Sequence, residues 1–387
     1  MASLSVSILK DIAMVGMPLK SKGSLVLSSE STDRSLPLDL LLVLDCSHSM
    51  LGEGIDVVTK SVNHILDDLL RNDDRVAIIS FNNQSKLHSD WTKKGQKTGE
   101  FIANGGTNFN AAIEKCIEFL GSQDNNENER AGIVLFLSDG AAQTPARDSS
   151  IQSITDFGYT MHTVGVTNQA VPKELEKMAE LARGHYFHAP SFEDVSNAFT
   201  SLFNLGKTVV YAAPELEVTV SSGTRLLNLI QSPQGNVITG KINSGKHKIS
   251  VGHLHADKRV EISFDLELDN VQKGLNQLAS FSFQNKNAIL TLKGTEIETE
   301  LYDAPINQEV TLIAQTARAA TATKSGDYAA VTRAIQKLET LGHTLPVASS
   351  RAENLTTVSS MTDIGTRLET LGKLQASVSG ETKIRRE

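Results

Sequence analysis

The stretch LLVLDCSHSM, residues 41–50, decides how this 387-residue chain is read. An apolar run drives straight into Asp45, and Ser47 and Ser49 follow at alternate positions. A run without a polar side suits a strand buried on both faces, as in a parallel sheet covered by helices. Asp and Ser just beyond such a strand can serve a plain turn, because their side chains bond to nearby backbone. A carboxylate with hydroxyls close behind is also a set of oxygen ligands for a hard cation. The rest of the chain decides between the two.

Around that stretch, from about Pro37 to Gly206, strand-like runs alternate with helix-like segments, the pattern of a mostly parallel, doubly wound α/β sheet. Ile55, Val58, Val62, Ile65, Leu66 and Leu69 recur at helical spacing, and then come RVAIISF, NAAIEKCIEFL, GIVLFLS and YTMHTVGV. VPKELEKMAELARG places Leu175, Met178, Ala179 and Ala182 on one face, with Pro172 suited to its start and Gly184 to its end. HYFHA and SFEDVSNAFTSLFNLG close the unit. The period then changes to two. In RVEISFDLEL, Val260, Ile262, Phe264, Leu266 and Leu268 alternate with polar residues, which predicts a half-buried antiparallel strand. Six or seven such strands predict an all-β sandwich. LSVSI and GSLVLSS near the N-terminus share the texture and are expected to pair with it. Tyr328, Val331, Ile335 and Leu338 then form one helical stripe, and SRAENLTTVSSMTDIGTRLETLG a second helix, together a helical hairpin. The expected boundaries are an N-terminal β segment at 1–36, the α/β unit at 37–206, the sandwich at 207–303, helices at 304–375 and a tail at 376–387.

Bulk composition narrows the function. A formal net charge of −8 without a basic stripe argues against nucleic acid or an anionic membrane surface as partner. Two cysteines, Cys46 and Cys116, make no disulfide framework, and a reducing compartment follows. The first twenty residues, broken by Lys10 and Asp11, do not read as a signal peptide, and no segment is apolar enough for a membrane span. A cytoplasmic protein is expected, with the Asn-x-Ser/Thr matches at Asn83 and Asn354 fortuitous. Composition leaves the oligomeric state open.

Three polar clusters fall at or just after strand ends, where open α/β sheets bind ligands. They are Asp45-Cys46-Ser47-His48-Ser49, Thr107 in NGGTNF, and Asp139 in LFLSDG. In this order, with helices between them, they resemble the von Willebrand factor A-type domain and its metal-ion-dependent adhesion site, over about residues 38–206. The resemblance implies a Rossmann-like fold and a bound Mg2+, with Mn2+ or Ca2+ as substitutes. It assigns hydroxyl ligands to Ser47, Ser49 and Thr107, and largely water-mediated roles to Asp45 and Asp139. Neutral hydroxyls leave the ion electrophilic, so an Asp or Glu of a partner protein is its natural further ligand. His48, Gly106 and Asn108 are the candidate partner contacts, and Gly105 and Gly106 are backbone devices. No base stands ready to activate a metal-bound water, so a binding module rather than an enzyme is expected.

Two other functions compete. Asp45 could be the nucleophile of a dehalogenase-type phosphatase, but Ser47 stands where that chemistry needs a second acid. Alternatively the β domain and helices act as a scaffold, with the metal loop incidental. Other conspicuous residues have plain explanations. His185 and His188 lack a third zinc ligand, Cys46 and Trp91 suit packing, and Glu53 and Asp56 suit a helix's first turn.

Overall fold

The computed structural model describes residues 2–29, 35–96, 99–123, 129–139, 142–166, 172–189, 191–361 and 370. The expected tail at 376–387 and the distal part of the predicted last helix, beyond Met361, lie outside the described residues apart from Thr370. Strands β1 (Ala2–Ile8), β2 (Ile12–Met14) and β3 (Leu19–Ser29) come first and belong to sheets completed much later in the chain. The central α/β unit follows. Its elements are β4 (Leu38–Asp45), α1 (Glu53–His64), β5 (Arg75–Phe81), β6 (Ser85–Thr92), α2 (Phe109–Gly121), β7 (Ala131–Ser138), α3 (Asp148–Ser153), β8 (Tyr159–Val166), α4 (Pro172–Leu181), β9 (Arg183–Ala189) and α5 (Phe192–Gly206).

These strands form one sheet in the order β6-β5-β4-β7-β8-β9, parallel except for the edge strand β6. Every residue of β4 and of β7 is buried, because helices cover both faces. Leu40, Leu42 and Leu44 pack toward α1 and α5, whereas Leu41 and Val43 pack toward α2 and α4. The α1 stripe runs on through a π-helical turn, Ile65–Leu69. Strand β6 carries no apolar alternation, which is why the sequence conceals it. It pairs with only one neighbour and shows its other side to solvent. Its Trp91 packs on Phe119, and the Arg75 guanidinium lies 4.6 Å from the indole centroid.

One expectation is corrected. Gly184 does not end a helix: α4 stops at Leu181, and Arg183, at φ +60, makes the left-handed turn. Gly184 sits in β9, where a Cβ would come within 1.9 Å of the Met161 carbonyl oxygen, so the close passage of two strands demands glycine.

Beyond α5 the chain builds β10 (Val209–Tyr211), β11 (Glu215–Val220), β12 (Thr224–Ser232), β13 (Asn236–Ile242), β14 (Gly245–Ser250), β15 (Leu254–His255), β16 (Arg259–Leu268), β17 (Gly274–Phe283) and β18 (Lys286–Thr295). Two five-stranded sheets, β1-β3-β16-β12-β13 and β14-β11-β17-β18-β2, enclose a second core around Phe264 and Phe281. β10 pairs with β15. Helices α6 (Glu298–Asp303), α7 (Gln308–Ser325), α8 (Tyr328–Gly342) and α9 (Pro346–Ser360) end the described chain.

The helical region is more than a hairpin. Helix α7 lies on β3, β12 and β16 and also against α8 and α9. Alanines and threonines bury it nearly all round, so no single apolar stripe betrays it in the sequence. Its cover changes β16 as well. Glu261 and Ser263, expected on a wet face, are buried, and Arg351 of α9 grips Glu261 with two hydrogen bonds of 2.9 and 3.0 Å.

Candidate functional site

The chain runs β4 to β5 to β6 on one side of the central sheet and β7 to β8 to β9 on the other, so strand order reverses between β4 and β7. Ligands of open α/β sheets bind beyond the carboxyl ends of strands at such a switch. Asp45 ends β4 there and is 0% exposed. Its Oδ1 accepts the Ser47 N–H at 2.8 Å, and its Oδ2 accepts a short hydrogen bond from the Ser138 hydroxyl at the end of β7. Ser47 Oγ and Ser49 Oγ are 3.0 Å apart. Ser47 is buried and Ser49 exposed, so the pair runs from the protein interior to its surface.

Burial pushes the Asp45 carboxyl up to about 6 against the pull of its hydrogen bonds, and the neighbouring Asp139 charge adds to the rise. Two buried carboxylates therefore share this rim, and Asp45 has no ion pair with a basic side chain among the described residues. Negative charge is thus concentrated beside the Ser47–Ser49 hydroxyl pair.

The third loop is lashed to the first. Gly105 carbonyl oxygen accepts the His48 N–H at 2.9 Å, and Cys46 carbonyl oxygen accepts the Asn104 N–H at 2.9 Å. Asn83 takes the Gly106 N–H on its side-chain oxygen, and Asn82 carbonyl oxygen accepts the Asn108 N–H at 2.9 Å. Gly105 has φ +71, and a Cβ there would sit 2.3 Å from Asn83 Oδ1, so both conformation and space require glycine. A Cβ on Gly106 would collide with Gln143 Oε1 at 2.2 Å. Thr107 is buried beside these contacts, its carbonyl oxygen accepting the Gln143 N–H at 3.0 Å. The loops carrying Asp45, Ser47, Ser49, Thr107 and Asp139 thus meet at one edge of the sheet.

Of the residues expected to touch a partner, His48 is exposed and Gly106 half-exposed. Asn108 uses its side chain inside the fold. It caps α2 by accepting the Ala111 N–H at 3.0 Å and donates to the Asn83 carbonyl at 3.3 Å. Cys46 is a buried wall of the site, its thiol pushed up to about 12 by burial and then by Asp45. Among the described residues no three His, Cys, Asp or Glu side chains cluster to hold a metal. The Tyr186 hydroxyl meets His188 Nδ1 at 3.2 Å, and the His185 N–H donates to His162 Nδ1 at 3.1 Å. Sequence reasoning missed Ser138 and the asparagine web of Asn82, Asn83 and Asn104. The repeated asparagines of FNNQS and IANGGTN were the available signal.

A family profile described as von Willebrand factor type A domain matches residues 39–201, from the second residue of β4 into α5. Residues 39–201 are a von Willebrand factor type A domain. Solved structures resemble nearly the whole described architecture. A von Willebrand factor type A protein from Catenulispora acidiphila superposes with a TM-score of 0.69 at 16% identity, covering 94% of this chain and 91% of that one. The ArnB paralog VWA2 from Sulfolobus acidocaldarius gives 0.68 at 16% identity, covering 97% and 98%. At that identity the likeness is one of fold. Among curated proteins, an uncharacterized Synechocystis protein is 27% identical over 265 residues, 64% of this chain and 61% of its own length. Bovine matrilin-1 is 26% identical over 194 residues, 47% of this chain and 35% of its own. This chain therefore spans less than two thirds of each of these relatives. Von Willebrand factor type A domains commonly mediate protein–protein interaction. Among the described residues, no helix is long and apolar enough to cross a membrane.

Proposed function

We propose that the von Willebrand factor type A domain binds a partner protein through a divalent cation, Mg2+ by preference and Mn2+ or Ca2+ as substitutes, held where β4 meets the Thr107 loop. One observation carries this. A fully buried carboxylate, Asp45, without a basic partner among the described residues, stands directly behind a pair of serine hydroxyls that reach the surface. The donor set fits the ion, since hard cations take carboxylate, hydroxyl and water oxygens. Ser47, Ser49 and Thr107 would hold it directly, with Asp45 and Asp139 behind them as orienting charges. Bound there, the cation offers an electrophilic position to an exposed Asp or Glu of the partner. The chain's own residues fix the hydroxyls: Asp45 clamps the Ser47 backbone, and Gly105 holds the His48 backbone.

Calorimetric titration with Mg2+ and Mn2+ tests the proposal. Saturable binding is expected, weakened by roughly tenfold to a hundredfold in Ser47→Ala and Thr107→Ala. Absence of saturable binding by the folded wild type refutes it. Partners that stay bound in EDTA would instead favour a scaffold acting through the β sandwich and helices. A phosphatase is disfavoured, because Asp45 is enclosed and committed on both oxygens, whereas a nucleophile must reach its substrate. Two free, buried cysteines, Cys46 and Cys116, fit a reducing compartment such as the cytoplasm.

A further inference from the structure

A cavity of about 310 Å3 adjoins the rim, beneath the loop that leads to Thr107. Cys46, Phe81 and Phe101, all buried, make its floor. Asn82, Gln84, Ser85, Lys86, Glu100 and Ile102 stand around its mouth. The cavity shares a wall with the cation loops, because Cys46 lies between Asp45 and Ser47 and is bonded through its carbonyl to Asn104, another lining residue.

We infer that this cavity is a second recognition pocket, one that seats a large aromatic side chain of the partner close in sequence to its metal-binding acid. The inference deepens the cation-dependent binding proposed above and rests on it. The lining selects the occupant. Phe101 gives the lining an aromatic ring, and a second ring, His88, is stacked on it at 4.5 Å between centroids. Aromatic rings pack favourably on such a surface, and a phenol or indole N–H can meet the amides and hydroxyl at the mouth. A second acid would meet Glu100 as well as Lys86, so the mouth offers it no net attraction.

The surroundings extend the same chemistry. Ile102 is 70% exposed at the mouth, and Leu51 is 62% exposed just past the Ser49 loop. Both are large aliphatic side chains held in water close in sequence to the rim, the apolar surface an interface would cover. A buried aromatic anchor beside a charged contact, shielded by its neighbours, is the usual arrangement of a binding hot spot.

Selection of random phage-displayed peptides on the full chain in Mg2+, with elution by EDTA, tests this directly. The expected winners carry an Asp or Glu and, at a fixed spacing, a Trp, Tyr or Phe. Replacing that aromatic by Ala should weaken wild-type binding by roughly tenfold or more, measured with the synthetic peptide. Ile102→Glu should weaken the parent peptide similarly and make the aromatic-to-Ala change nearly silent, while Mn2+ affinity stays unchanged. Leu275→Glu, at an equally exposed site on β17, should change nothing. Winners with an acid but no recurrent aromatic overturn the pocket and leave the cation proposal standing, as does strict additivity of the two substitutions. Failure to enrich any Mg2+-dependent peptide overturns both.

Discussion

Strand β4 carries a carboxylate at each end, and the two are treated in opposite ways. Asp39, near its start, receives Arg75 through two hydrogen bonds of 2.9 Å, Arg130 through a short one, and the Tyr159 hydroxyl at 3.3 Å. Close by, Asp74 accepts the Leu38 N–H at 2.9 Å and pairs with Arg71 at 2.8 Å. Asp45, at the far end, has an N–H and a hydroxyl but no guanidinium. The same residue type on one strand is paired with arginines at one end and left without a basic partner, among the described residues, at the other. Buried charges are costly unless paired, so the unpaired one stands at the end of the sheet where the cation is proposed to bind.

Four experiments sharpen or break that contrast. Asp39→Asn should be the most damaging, because it strands Arg75 and Arg130 at the sheet's lower edge. A loss of about 3 kcal/mol is expected in chemical denaturation, with cation binding by the remaining folded protein intact. A mild effect there would erase the distinction.

Asp45→Asn should act with the opposite sign in EDTA. The folded pKa of about 6 lies above the carboxyl's ordinary 3.8, so the stabilising contribution is complete below 3.8 and is lost as pH rises through 6. At neutral pH the ionised group therefore weighs against folding, and its removal should raise stability by about 2 kcal/mol while abolishing cation binding. A metal-free variant less stable than wild type would show that Asp45 is structural after all.

The third experiment is a pH series on the metal-free protein. His253 joins the sandwich to the sheet, accepting the Ala213 N–H on Nδ1 at 2.9 Å and donating from Nε2 to the Gly132 carbonyl at 2.7 Å. Burial lowers it to about 4 from 6.5. Its protonation would put a donor where Ala213 needs an acceptor. Stability from His253 is full above 6.5 and drains as pH falls toward 4, whereas Asp45 gains over nearly the same window. His162 and His255 lie near it, and burial lowers both of them likewise. Asp45→Asn should therefore steepen the acid-side loss by about one proton, and His253→Gln should flatten it. Unchanged slopes in both variants would remove the electrostatic contrast. Smallest of all, Asn83→Ala should cost about 1 kcal/mol and loosen cation binding a few-fold, since it releases only the Gly106 backbone.

Much of this was legible in the chain itself, for identifiable reasons. The unbroken apolar run of β4 announces a strand covered on both faces, and its terminal Asp, with the later Thr107 and Asp139, announces the rim. The alternation from Val260 to Leu268 gives a sandwich strand. Legibility failed where tertiary cover overrides local pattern: Glu261 and Ser263 look solvent-facing until α7 and α9 settle over them. It failed again for β6, an edge strand with little to bury. At the site, Ser138 was hidden because its contact to Asp45 crosses between strands far apart in sequence. The arginines that answer Asp39 were unreadable for the same reason.

The hydrogen bond from the Leu36 N–H to the Val209 carbonyl, 3.2 Å long, has an engineering corollary. It joins the points where the chain enters and leaves the inserted α/β unit, so the two crossings lie side by side. A segment with neighbouring ends can be exchanged as a cassette, provided the contacts it makes with its host, such as His253 to the Gly132 carbonyl and Lys324 to Glu176, are kept. Grafting another von Willebrand factor type A domain between Ser35 and Thr208, with those contacts kept, would thus exchange the α/β unit without redesigning what carries it.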